Sequence, residues 1–210
     1  DLDVISASRD DNTVAWYENL GGGSFGTQNI ISNAVNDALD VYAADVDHDG
    51  DMDVLSAANA ANTIYWHENT GGGSFTAPQS ISTTVTGPTQ VQAALIDSDT
   101  LLDIVSISQW DDRLAWYQNL GGGSFGGQQT IATANDGAVG LSIVDAEGDG
   151  DMDIYVAGQY DQTLSLYEND GFGSFGGEIQ ITTIRNNPYS VAAADLDMDG
   201  DARRCSGQFE

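Results

Sequence analysis

Apolar residues in this chain come in short blocks separated by glycine, asparagine and aspartate. Between residues 90 and 132 four such blocks follow one another: Gln90 to Ile96, Asp103 to Ser108, Arg113 to Gln118, and Gln128 to Ala132. Valine, isoleucine, tyrosine and tryptophan dominate them, and no segment holds a helical apolar period over about ten residues. Each block therefore predicts a β-strand. Thr13-Val-Ala-Trp-Tyr17 is apolar at consecutive positions, which predicts burial on both faces, as when one sheet stacks against the next.

The blocks recur. Aligned at a period of 50 residues, Asp3, Asp53, Asp103 and Asp153 share one column, and Asn19, Asn69, Asn119 and Asn169 another. Ser24-Phe25, Ser74-Phe75, Ser124-Phe125 and Ser174-Phe175 form a third, and Ile31, Ile81, Ile131 and Ile181 a fourth. A period of this size marks a solenoid or propeller unit. Cut between strands, the chain divides at 1–33 (the last three strands of a unit), 34–83, 84–133, 134–183, and 184–210 (a first strand, an acidic loop and an irregular tail). The fold class predicted is all-β: a β-propeller built from four 50-residue, four-stranded blades.

The loop Asp45-Val-Asp-His-Asp-Gly-Asp-Met-Asp53 carries the candidate chemistry. Carboxylates stand at loop positions 1, 3, 5 and 9, with Gly50 at position 6. Four hard oxygen donors in nine residues repel one another unless a cation sits among them, and the first six match the start of a calcium-binding EF-hand loop. Ser56 stands where an EF-hand needs its glutamate, and the flanks are β-leaning, so this shorter loop joins two strands.

The Gly21-Gly-Gly-Ser-Phe-Gly26 segment fits both G-x-G-x-x-G and, in its last five residues, G-x-S-x-G. Both motifs need a following helix, and none is predicted, so the segment reads as a hairpin turn with its phenylalanine anchored in the core.

With an acidic loop and a Ser-Phe turn in every unit, the chain resembles the FG-GAP/VCBS repeat family, whose best-known members are the integrin α-subunit propellers. The resemblance implies four-stranded blades with Ca²⁺ held in the loop between a blade's first two strands. Carried over by position, the first loop is complete: Asp45, Asp47, Asp49 and Asp53, with the Asp51 carbonyl. The third offers Asp145, Glu147, Asp149 and Asp153, with Asp151. The second departs, with Leu95 at position 1 and Thr100 for the glycine, leaving Asp97, Asp99 and Asp103 and predicting little or no binding. The fourth has Asp195, Asp197, Asp199 and Asp201, but Arg203 at position 9; Asp3 could complete it.

The formal charge is −28, with 33 Asp and Glu against 5 arginines, a field that repels nucleic acid and anionic membranes and attracts cations. At 40% apolar residues the chain is not expected to be disordered. No run is long enough to span a membrane. One cysteine, Cys205, excludes an internal disulfide. Calcium loops point to an extracellular or cell-surface setting.

No catalytic cluster stands out, so the chain is not expected to be an enzyme. The expected role is a calcium-stabilised structural or adhesion module. The alternative is a lectin-like glycan binder using Trp110 and Tyr160, which stand where other units have Asp10 and Ala60. The Trp16, Trp66 and Trp116 column reads as core. A chain starting at Asp1 reads as a processed product, an excised fragment or an incompletely known sequence. In column terms Gly200 is followed by Asp1, so the ends together make one blade. Either the chain closes on itself, or copies or further repeats join end to end. Because 201–210 compete for the column of 1–10, joining is favoured.

Overall fold

The computed structural model describes residues 2–183 and 187–196. Among these every regular element is a strand. No described helix is long and apolar enough to cross a membrane.

The second unit contains β6 (Ala38–Ala44), β7 (Asp53–Ala58), β8 (Thr63–His67) and β9 (Gln79–Ser82), hydrogen-bonded in that order. The third repeats it with β10 (Pro88–Ala94), β11 (Asp103–Ser108), β12 (Arg113–Tyr117) and β13 (Gln129–Ala132). The fourth follows with β14 (Ala138–Val144), β15 (Asp153–Gly158), β16 (Thr163–Tyr167) and β17 (Ile179–Thr183). All pairings are antiparallel.

The first unit has three strands in its sheet, β1 (Val4–Ser8), β2 (Thr13–Tyr17) and β5 (Asn29–Ser32), with β3 (Asn19–Gly21) and β4 (Ser24–Phe25) forming the glycine hairpin. Sequence and structure agree here closely. The clearest difference is the third unit's first strand, which ends at Ala94 and not at Ile96. The Ile96 N–H is claimed by the Asp103 carboxylate, so the ladder cannot continue. No sheet closes on itself. The predicted first strand within 184–210 pairs with no strand among the described residues, and strand geometry needs such a partner.

The core lies between sheets. One cluster joins Leu55, Ile64 and Trp66 of the second unit to Val91, Ile104 and Tyr117 of the third. The next joins Val105, Leu114 and Trp116 to Leu141, Ile154 and Tyr167 of the fourth. Both faces of the middle sheets are thereby buried, as the unbroken apolar runs require.

A repeated device locks the tryptophans. A Cβ built on Gly73 would lie 2.4 Å from the Trp16 ring, one on Gly123 2.5 Å from Trp66, and one on Gly173 2.4 Å from Trp116. The glycine at the third position of each turn is thus the seat for the preceding unit's indole. Trp66 and Trp116 are buried, and Trp16 is half-buried.

First strands of successive units are also stitched together. The Val91 N–H donates to Asp40 Oδ2 at 2.9 Å and the Leu141 N–H to Gln90 Oε1 at 2.6 Å. The Ala193 N–H donates to Ser142 Oγ at 3.1 Å. Each link spans 51 residues, one unit plus one position.

Candidate functional site

The acidic loops sit where the first strand of each sheet turns into the second. In the first loop Gly50 takes a φ of +97°, a left-handed turn that other residues adopt only with strain. That turn folds the carboxylates together. Asp45 Oδ2 accepts from the Gly50 N–H at 3.1 Å, Asp47 Oδ1 from Asp49, and Asp49 Oδ1 from Asp51. Asp45, Asp47 and Asp49 each offer an oxygen within 4.8 Å of the others, the one such cluster among the described residues. The other oxygen of Asp45, Oδ1, is buried without a hydrogen-bond partner. An unpaired buried carboxylate oxygen is costly unless a cation meets it. The donor set is all oxygen, which suits a hard divalent ion such as Ca²⁺.

Asp53 does something else as well. Its carboxylate is fully buried, with Oδ2 accepting from the Val46 N–H at 3.1 Å and Oδ1 from the Asn69 N–H at 2.7 Å. It clips the loop to the far end of β8. The same clip recurs as Asp103 with Ile96 and Asn119, and as Asp153 with Ala146 and Asn169. Asp3 keeps half of it, accepting from Asn19. Burial pushes the Asp103 carboxyl up to about 6, and burial likewise raises Asp53 and Asp153. The sequence hinted at this second role: Asp103 persists in a loop that has lost the first carboxylate and the turn glycine, with Leu95 and Thr100 in their places.

Those changes are compensated in the second loop. Leu95 is half exposed at position 1, and Thr100 does not adopt the left-handed turn. Asp97 Oδ2 accepts from the Gln118 side-chain amide at 2.7 Å, while Asp97 Oδ1 and Asp99 Oδ1 accept from backbone N–H groups. Units with a full acidic loop carry glutamate in that column, Glu68 and Glu168. In the second loop a neutral amide donor stands against the carboxylate instead.

In the third loop Gly150 repeats the turn at +98°. Here, however, Asp145 turns onto the backbone, accepting from Gly148 at 2.7 Å, Asp149 at 3.1 Å and Gly150 at 2.9 Å. Asp149 accepts from Asp151, and Glu147 does not join a cluster like that of the first loop. In the fourth loop Asp195 alone is described; Asp197, Asp199, Asp201 and Arg203 lie outside the described residues.

The first and second loops are also held by the next unit. The Asn119 side chain donates to the Val46 carbonyl at 2.8 Å, and Asn169 donates likewise to Ile96. The loops are therefore joints between neighbours.

Trp110 and Tyr160 lie after the second strands, 59% and 56% exposed. Each ring rests on a glycine: a Cβ at Gly87 would lie 2.6 Å from Trp110, and one at Gly137 2.6 Å from Tyr160. The backbone has positive φ throughout this column, yet in the second unit, which has Ala60 in place of a ring, the residue is Asp37. Glycine there serves the ring. Gln109 bridges the two positions, its amide donating to Gln159 Oε1 at 3.1 Å and the Tyr160 hydroxyl at 3.0 Å.

The chain's histidine–serine pair, Ser56 Oγ and His67 Nε2 at 2.9 Å, is wholly buried. Ser106 and Tyr117 take the same places one unit on, so the pair belongs to the core.

The repeat, its acidic loops and its glycine turns now stand together with a sequence match. The FG-GAP-like repeat matches four times, at residues 1–56, 46–106, 96–156 and 148–202. The chain belongs to the FG-GAP-like repeat family. No curated protein matches it in sequence. Among solved structures it is similar to a lectin of Agrocybe aegerita described as specifically recognising non-reducing terminal N-acetylglucosamine. That similarity has a TM-score of 0.57 at 17% identity, over 95% of this chain and 52% of that one. This FG-GAP-like chain thus spans about half of the lectin's length, and the likeness is one of fold. A Photorhabdus luminescens Tc holotoxin pore is similar over 88% of this chain and 9% of its own, at 15% identity and a TM-score of 0.45.

Proposed function

We propose that this protein is a non-enzymatic, calcium-stabilised propeller-type module of the extracellular or cell-surface environment, with a structural or adhesive role. The observation that carries the reading is the buried, unpartnered Asp45 Oδ1 within the Asp45, Asp47 and Asp49 cluster. Those three side chains would hold the ion, which would neutralise their mutual repulsion and stiffen a loop that Asn119 ties to the next unit. Asp53 and the Asp51 carbonyl are its further candidate ligands. The third loop ranks below the first, because Asp145 is already satisfied by backbone.

Melting in Ca²⁺ and in chelator tests this. An ion at about a hundred times its Kd adds roughly 2.7 kcal/mol per site. Asp49→Ala should remove most of the calcium-dependent shift, and Asp99→Ala should leave it intact. Coincident wild-type curves with and without calcium would end the metal reading.

A second reading, glycan binding, is favoured by the glycine-seated, exposed rings of Trp110 and Tyr160 and by the fold shared with a lectin. An amphipathic ring held flat with one side open suits the apolar face of a sugar. Trp110→Ala and Tyr160→Ala should abolish any binding on a glycan array while leaving the calcium-dependent melt unchanged. An array with no hits would leave the structural reading alone.

A further inference from the structure

The glycine turn of the fourth unit is built differently from the other three. At Gly21, Gly71 and Gly121 the backbone N–H donates to the side-chain oxygen of Asn19, Asn69 and Asn119, at 3.0, 3.1 and 2.9 Å. The equivalent oxygen, Asn169 Oδ1, is buried without a partner. The Gly171 N–H, its match by position, donates to nothing among the described residues. Asp170 is the cause. It stands where the other units have Leu20, Thr70 and Leu120. Its Oδ1 accepts from the Phe172 N–H at 3.0 Å and the Ser174 N–H at 3.1 Å. In the second and third units the matching serine N–H goes instead to the carbonyl of Gly71 or Gly121.

Asp170-Gly171 is one of five Asp-Gly pairs in the chain, of which Asp199-Gly200 lies outside the described residues. In such a pair the glycine nitrogen has no Cβ beside it to hinder attack on the carboxyl carbon of the aspartate. A glycine N–H held in a hydrogen bond is withdrawn from that attack. Gly50 gives its N–H to Asp45 at 3.1 Å, Gly150 to Asp145 at 2.9 Å and Gly137 to Asp112 at 3.0 Å. Asp49 and Asp149 fold their carboxylates onto the N–H two residues on, as Asp170 does. The pose of the carboxylate is therefore shared, and the state of the glycine N–H is the difference. Asp170 is also exposed to water.

We propose that Asp170-Gly171 is a site of spontaneous backbone modification, at which the aspartate converts to isoaspartate. The Gly171 nitrogen bonds to Asp170 Cγ, and the carboxyl hydroxyl leaves as water with the amide hydrogen. A second water opens the cyclic imide. Addition at Cγ restores aspartate, and addition at the Asp170 backbone carbonyl leaves the chain running through the side chain. One water leaves and one enters, and nothing is oxidised or reduced. The main chain thereby gains a methylene in the turn that seats Trp116, where a Cβ on Gly173 would already lie 2.4 Å from the ring. The modified turn loses that seat, and the joint between the third and fourth units loosens.

Folded protein held at neutral pH and then cleaved at glutamate gives the measurement. Glu168 and Glu178 bound a peptide in which Asp170 is the only aspartate. Isoaspartate, scored by fragmentation and by isoaspartyl methyltransferase labelling, should build up at Asp170 several-fold faster than at Asp49, Asp136 or Asp149. The lead should disappear in denaturant. Equal rates in the folded protein would overturn the proposal, and so would a lead that persists in denaturant, which would make it a property of local sequence. Asp112→Gly, which frees the Gly137 N–H, should raise the rate at Asp136. An unchanged rate there would overturn the role given to the free N–H. Aged wild-type protein should melt below fresh protein, whereas Asp170→Thr, which copies Thr70, should keep its melt on ageing. An equal fall in that variant would overturn the consequence for the joint.

Discussion

The loops at 45–53 and 95–103 occupy the same place in successive units, yet only the first gathers three carboxylates into a cluster. Both keep the final aspartate, buried and accepting backbone N–H groups from the loop and from the asparagine two residues past the third strand. They differ at Asp45 against Leu95, Gly50 against Thr100, and Glu68 against Gln118. An acidic loop of this type therefore does two separable jobs. The last aspartate clips strands together, and the earlier ones gather charge that needs an outside partner. A loop can lose the second job and keep the first, provided a donor such as Gln118 takes up what the cation would have satisfied.

The largest test of that separation is Asp103→Ala. It strands the buried N–H groups of Ile96 and Asn119, at a cost of about 3 kcal/mol. The loss, measured by chemical denaturation, should be the same in calcium and in chelator. A loss that vanishes in chelator would mean that Asp103 acts through a metal after all.

A smaller effect is expected from Gln118→Glu. It would set a second carboxylate against Asp97, where the amide now donates at 2.7 Å. In chelator the variant should be less stable than wild type by about 2 kcal/mol, from a lost charge-assisted bond and new repulsion. Calcium should recover part of that loss if the loop can still fold around an ion. Equal melting of variant and wild type in chelator would show that Gln118 is not the substitute for the cation.

The repeat columns made much of this legible in advance. The order of strands and the hairpin turn at Gly21 to Gly26 follow from self-alignment and β-type runs. What the columns could not give is which neighbour each residue faces. Gly73, Gly123 and Gly173 look like turn glycines, and only packing shows that each also seats an indole 57 positions earlier in the chain. Gln118 is the one amide in a column of glutamates, a departure the sequence reading passed over, and its meaning needs the 2.7 Å contact to Asp97. The third loop looked nearly as good as the first. Its Asp145 oxygens instead turn onto three backbone N–H groups, a choice that spacing does not reveal.

The smallest predicted effect extends the comparison to the strands beneath the loops. Asp40 and Gln90 do one task, accepting an N–H from the next unit's first strand, one with a charge and one without. Burial pushes the Asp40 carboxyl from 3.8 up to about 6, so the folded state prefers its protonated form. Below pH 3.8 that group's contribution is intact; it is lost as pH rises through about 6, and stays lost above. A shift of this size is worth up to roughly 3 kcal/mol, and the weaker bond made by a neutral amide offsets about 1 of that. Asp40→Gln, which copies Gln90, should therefore stabilise the protein at neutral pH by roughly 1–2 kcal/mol. The gain should shrink between pH 6 and pH 4 and be absent below. Melts of both proteins across that range decide the matter. A pH-independent difference would mean that shape, not charge, separates the two interfaces.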